Sequence, residues 1–67
     1  MVLWTLTTPS GQRVVCYAIV GDEGLAVTVE REGEIVLAEM VANMDAATSR
    51  AEVVRQTLVA AGLRDAC

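Results

Sequence analysis

The sequence predicts an α+β fold in which a four-stranded antiparallel β-meander is followed by one C-terminal helix that packs on one face of the sheet. Three observations support this. The chain up to residue 41 alternates in hydrophobicity or is rich in β-branched residues, three short turn segments interrupt it, and the last third has a helical repeat. We expect a single domain over residues 1–67, because a chain of this length can build only one small core.

Four segments have the pattern of strands, at about residues 1–8, 12–20, 25–31 and 34–41. The first has period two, with Val2, Trp4 and Leu6 on one face and Leu3, Thr5 and Thr7 on the other. The second is almost wholly apolar, which is usual for a central strand covered on both faces. Residues 9–11, 21–24 and 32–33 contain the Gly, Pro and acidic residues of tight turns, and the last of these predicts a two-residue hairpin of the primed type.

The turn lengths predict the register, because directly opposed residues of a hairpin share a face of the sheet. We expect Trp4 opposite Cys16, Val27 opposite Ala18 and, across the last turn, Val29 opposite Val36. All three hairpins then place one uncharged set together, and we expect the helix to cover it. The set is Val2, Trp4, Leu6, Val14, Cys16, Ala18, Val20, Leu25, Val27, Val29, Val36, Ala38 and Met40.

The C-terminal segment predicts a helix over about residues 44–61. Asn43 is a favourable N-cap, and Asp45 lies in the first turn, where the helix dipole favours negative charge. Gly62 is suited to the left-handed residue that follows a helix, with Leu63 folding back onto the last turn. A shorter helix that starts at the capping box of residues 49–52 is the alternative. One apolar stripe faces the sheet: Ala47, Ala51, Val54, Leu58 and Ala61.

The opposite face of the predicted sheet has an apolar centre and a polar rim, and no second helix is available to cover it. We predict that its centre is a protein-binding surface, because contiguous exposed apolar patches usually mark binding sites. The expected partner is a second copy of the chain or an unidentified protein. The alternative is that the face is a tolerated apolar surface. The candidate interface residues are Leu3, Val15, Tyr17, Ile19, Ile35 and Leu37.

The sequence offers little for catalysis or for ligand binding. It contains no His, so the commonest general base and metal ligand is absent. Glu30, Glu32 and Glu34 cluster at one hairpin, where a solvated turn is a more economical explanation than a carboxylate or cation site. Cys16 is expected to be a buried thiol and Cys67 a free one, with a disulfide between them as the alternative. We therefore predict a non-catalytic protein with no cofactor and no bound metal.

Charge and hydropathy restrict the class of partner. The net charge of −4 and five scattered arginines make nucleic acid an unlikely partner, since clustered positive charge supplies most of that affinity. The order of four strands and a helix resembles, in topology alone, the single-strand DNA binders of transcriptional-coactivator type, so a nucleic-acid module is the alternative function. The longest apolar run is too short to span a bilayer, and no signal peptide is evident, so a cytoplasmic protein is expected.

Overall fold

The computed structural model describes residues 1–65 of the chain, and Cys67, predicted to be a free thiol, lies outside the described residues. The elements are β1 (Val2–Thr7), β2 (Arg13–Gly21), β3 (Gly24–Arg31), β4 (Glu34–Val41), α1 (Met44–Ala60) and a two-residue strand β5 (Arg64–Asp65). The predicted α+β architecture is confirmed: four antiparallel strands form a meander, and the helix packs on one face of the sheet.

Local signals place the turns and the helix ends where they were expected. Glu32 and Gly33 both have positive φ, at 49° and 84°, as a primed two-residue hairpin turn requires. The side chain of Asn43 accepts a hydrogen bond from the backbone N–H of Ala46 at 2.8 Å, which confirms the N-cap. At the other end the backbone N–H of Leu63 bonds to the carbonyl of Leu58, so the chain folds back over the last turn.

The register of the central hairpin, β2 with β3, is confirmed over its whole length, including Ala18 opposite Val27. The two outer pairings each contain an irregularity that the sequence did not reveal. In β4 the register shifts after Glu30 opposite Ile35, and the next pair is Val29 with Leu37 rather than Val36. One extra residue on one strand is a β-bulge, and it exchanges the two faces of every later residue of that strand.

The same change occurs in β1. Trp4 lies opposite Cys16 as predicted, but the register shifts between Trp4 and Val2, so that Val2 lies opposite Tyr17 instead of Ala18. Met1 takes the place opposite Ala18, with which it exchanges two backbone hydrogen bonds. The prediction that Val2, Ala38 and Met40 belong to the helix-covered face is therefore wrong, since all three lie opposite residues of the other face.

The core lies between the sheet and α1. Its buried residues come from β2, β3 and the helix: Val14, Cys16, Val27, Val29, Ala47 and Ala51. Leu3, Leu37 and Val41 pack against this cluster. Two predicted members on the helix side are not buried: Val20 is 81% exposed and Val36 is 54% exposed. The helix therefore covers less of the sheet than the uncharged set suggested.

Two small helix residues and one large strand residue set the distance between the layers. Ala47 and Ala51 are buried, and the indole N–H of Trp4 donates to the backbone carbonyl of Ala51 at 2.8 Å. An alanine leaves space for the indole ring to reach the helix backbone. Beyond the helix, β5 pairs with β1 at Leu6 and Thr7 and so covers part of that edge of the sheet. The last predicted residue of the stripe, Ala61, is the exposed C-cap.

Candidate interface on the open sheet face

The open face is the side of the sheet turned away from α1, and its residues form cross-strand rows. The middle row crosses all four long strands and contains Val2, Tyr17, Thr28 and Ala38. A second row contains Thr5, Val15, Glu30 and Ile35, and a third contains Ile19, Ala26 and Met40. Eight of these eleven side chains are aliphatic, aromatic or thioether groups, so the rows form a continuous and mainly apolar surface.

The structure brings together four of the six candidate interface residues. Val15, Tyr17 and Ile19 alternate along β2, and Ile35 lies two strands away in the row of Val15. Their function as an interface stays a prediction.

Leu3 and Leu37, the other two candidates, lie on the helix side, where both pack against the core. Their assignment to the open face was wrong because each is part of a bulge in an outer strand.

The bulges also bring residues to the open face that the alternating pattern had placed in the core. Val2 is 63% exposed there and Met40 is 58% exposed. Glu39, which regular alternation puts on the open face, lies instead on the helix side beside Arg50. Within β4 the exchange replaces the carboxylate of Glu39 by the thioether of Met40, and it also replaces Leu37 by the smaller Ala38. No signal in the sequence distinguishes a bulged from a regular outer strand here.

Tyr17 is held in place by a hydrogen bond within the open face. Its hydroxyl donates to the Glu30 carboxylate at 2.8 Å, across a diagonal between neighbouring strands. This bond, with some burial and the negative charge of Glu30, raises the pKa of Tyr17 above its usual value of 10.0. The ring is therefore fixed over the sheet, and next to it Thr28 is buried although no helix lies over this face.

Charged residues lie at the two ends of the open face. Arg13, Glu30 and Glu32 line a shallow depression with Val15 and Gly33 at the end of the sheet near the last hairpin. Within residues 1–65, Arg13 has no ion-pair partner. The opposite end of the face has Ile19, Ala26 and Met40 above the turn of Asp22 and Glu23.

A groove of about 300 Å³ opens on the other side of the molecule, between the second half of α1 and the sheet. Its walls are mainly aliphatic, from Val14, Val29, Leu37, Val54 and Leu58, with Arg31 and Thr8 among the lining residues. In residues 1–65 no group of three or more Cys, Asp or Glu side chains is arranged to hold a metal ion.

Comparisons of the chain with protein-family models, with curated proteins and with solved structures found no match. In the part of the chain that the structure describes, α1 is neither long enough nor apolar enough to cross a membrane. The open sheet face is thus the feature from which a function can be argued.

Proposed function

We propose that the protein is a non-catalytic homodimerisation module whose interface is the open sheet face. The observation that supports this most directly is the continuity of the apolar rows across all four strands, from Val2 on β1 to Met40 on β4. Isolated exposed apolar residues are common on monomers, but a contiguous apolar patch with charge at its ends is typical of an interaction site.

The size of the domain favours a second copy as the partner. A chain of 67 residues buries only about 60% of its unfolded surface when it folds alone, and its largest fully buried side chains are Leu6, Val27 and Cys16. Covering the open face adds a second apolar layer on the other side of the same sheet. A sheet with apolar residues on both faces is stable when both are covered, as in stacked two-sheet architectures.

The dimensions of the face indicate a modest affinity. Four strands about 4.8 Å apart and about seven residues long give a footprint of roughly 440 Å² on each copy. Two stacked faces then bury roughly 880 Å² in total, which is below the lower limit of standard-size specific interfaces, about 1,200 Å². We therefore expect a dimer that dissociates on dilution. The cytoplasm is the compartment proposed for it, because the buried Cys16 thiol is free and small secreted domains commonly depend on disulfides.

The test is sedimentation velocity over a range of concentrations from micromolar to millimolar. Wild type should shift from monomer to dimer, and Ile19→Asp should remain monomeric, because it places a carboxylate in the apolar part of the open face. Val20→Asp is the matched control. Val20 is the next residue of the same strand and is 81% exposed on the other face, so its substitution has a similar cost in strand propensity without touching the interface.

Circular dichroism on both variants verifies that they fold. A wild type that stays monomeric up to millimolar concentration would contradict the proposal, as would equal dissociation of the Ile19→Asp and Val20→Asp dimers.

A further inference from the structure

We infer that the two copies are related by a two-fold axis that runs parallel to the strands, between β2 and β3. This inference rests on the proposed function and specifies how the two open faces meet. Stacked sheets usually keep their strands within about 30° of each other, so a two-fold axis in the interface must run nearly along the strands or nearly across them. The two choices bring different side chains together.

A two-fold rotation about an axis along the strands keeps each cross-strand row at its own level and reverses the order of the strands in it. As a result β2 of one copy lies on β3 of the second copy, and β1 lies on β4. In the middle row, Val2 then lies over Ala38 of the second copy. In the next row Ile19 lies over Ala26 of the second copy. In each of these pairs a large side chain meets a small one, which allows the two surfaces to interdigitate.

The complementarity follows from an asymmetry between the two central strands. On the open face β2 has Val15, Tyr17 and Ile19, while β3 has Glu30 and the small residues Ala26 and Thr28. An axis across the strands places β2 on β2, so that the rings of Tyr17 from both copies compete for one place. It also reverses the order of the rows, so that Ile19 lies over Val15 of the second copy instead of over an alanine.

Charge complementarity favours the same axis. Arg13 on β2 and Glu32 at the end of β3 lie at the same end of the sheet and line one depression with Glu30. Turning the rows over brings Arg13 of each copy to Glu32 of the other, so that two opposite-charge contacts form by symmetry. An axis across the strands moves the end with Arg13, Glu30 and Glu32 onto the end with Asp22 and Glu23. Arg13 would then meet acidic side chains, but Glu30 and Glu32 would meet further carboxylates.

Cross-linking distinguishes the two axes. With strands about 4.8 Å apart and sheets about 10 Å apart, residue 2 lies roughly 10 Å from residue 38 of the second copy when the axis runs along the strands, but roughly 17 Å from residue 2 of that copy. Val2→Cys and Ala38→Cys are each made in a Cys67→Ser background, with Cys16 left in place because it is buried. A short bis-maleimide is added to each variant alone and to the equimolar mixture.

Cross-linked dimer is expected in the mixture and not in either variant alone. Efficient cross-linking of Val2→Cys with itself would show that the axis runs across the strands and would overturn the inference, while the homodimer proposal would stand. A dimer by sedimentation that gives no cross-link in any sample also overturns the axis. A monomer by sedimentation would remove both proposals.

A charge exchange provides an independent readout. Arg13→Glu and Glu32→Arg should each weaken the homodimer, since like charges then meet at both contacts. Mixing the two variants should give a heterodimer that is more abundant than the statistical half of all dimers, because both contacts become opposite in charge. Charge interactions within each copy are the same in homodimer and heterodimer, so they cancel in this comparison. A statistical mixture with undiminished homodimers would contradict the Arg13 to Glu32 contact.

Discussion

Glu39 on β4 and Arg50 on α1 form a bidentate ion pair. The Nε of Arg50 donates to Oε2 of Glu39 at 2.8 Å, and its Nη2 donates to Oε1 at 3.0 Å. The pair joins the outermost strand to the helix, and it exists because the bulge at Val36 turns Glu39 towards the helix side. Parallel hydrogen bonds from a guanidinium to a carboxylate fix orientation as well as charge. The pair therefore ties the outer strand to the helix on the side where the core ends.

The first prediction concerns the pH dependence of this ion pair. The hydrogen bonds from Arg50 lower the pKa of Glu39 below its ordinary value of 4.5. Because the folded-state pKa is the lower one, the stabilisation is complete above pH 4.5 and is lost as pH falls through the folded-state pKa. Urea unfolding should show Glu39→Gln to be less stable than wild type at pH 7, with a difference that shrinks below pH 4.5.

Glu34→Gln is the matched control, since Glu34 is on the same strand and has no ion pair within residues 1–65. It should unfold like wild type at both pH values. A Glu39→Gln difference that is independent of pH would show that the ion pair is not the source of the stabilisation.

The position of Glu39 could not be predicted from the sequence, although other parts of the fold could be. The central hairpin could be predicted residue by residue, because its turn is short and β2 pairs with β3 without a bulge. The helix ends could be predicted because Asn43 and Gly62 have local conformational preferences. These features depend only on neighbours in the chain.

The bulges at Leu3 and Val36 could not be predicted in the same way. Both outer strands have apolar residues at consecutive positions, so both the regular and the bulged register bury an aliphatic side chain. The amino-acid composition of these strands therefore does not distinguish the two registers. The register of the outer strands depends on the helix. Leu3 and Leu37 pack against the core beneath it, and Arg50 of the helix binds Glu39. Two of the six candidate interface residues were misplaced for this reason, and Val2 and Met40 were missed.

The second prediction tests how closely the helix lies to the sheet. Ala51 is buried in the core, and the indole N–H of Trp4 bonds to its carbonyl, so a larger side chain has little space there. Ala51→Leu should reduce the free energy of unfolding by about 1–3 kcal/mol, the usual cost of overpacking a core. Ala60→Leu introduces the same side chain at an exposed position of the same helix. It should change stability by less than about 0.5 kcal/mol. Equal effects of the two substitutions in urea unfolding would contradict close packing at Ala51.

The third prediction concerns the reactivity of Cys16. The thiol is fully buried at the centre of the helix-covered face, and burial raises its pKa. Both effects suppress the reactive thiolate, so modification requires the core to open. In a Cys67→Ser background, labelling by a disulfide reagent should be at least about 10³-fold slower in the native state than in urea, as expected when unfolding costs several kcal/mol.

Val53→Cys in the same background is the control for reagent access. Val53 is exposed on the helix, so this variant should label in two phases, one fast and one as slow as Cys16. Rapid labelling of the Cys16 thiol in folded protein would show that the core opens locally at β2, and would weaken the description of Cys16 as a closed core residue.

The fourth prediction uses Tyr17 as a reporter of the open face. It is the only tyrosine, so absorbance of the phenolate reports a single group. Ionisation breaks the hydrogen bond to Glu30 and places two negative charges together, so the wild-type transition should lie above pH 10.0. Stability from this bond is present below the unfolded pKa and is lost as pH rises through the folded one. Glu30→Gln should move the transition towards pH 10.0, whereas Glu32→Gln, at the neighbouring exposed turn, should leave it largely unchanged.

The same titration links the side chain to the proposed dimer. If Tyr17 of each copy is covered by β3 of the other, its phenolate loses solvent on association, and its pKa must rise further as protein concentration increases. By linkage, raising the pH through this range must dissociate the dimer. The expected result is a wild-type transition that moves to higher pH with concentration, while that of Ile19→Asp does not move with concentration. A transition that is independent of concentration in a sample shown by sedimentation to be dimeric would place Tyr17 outside the interface.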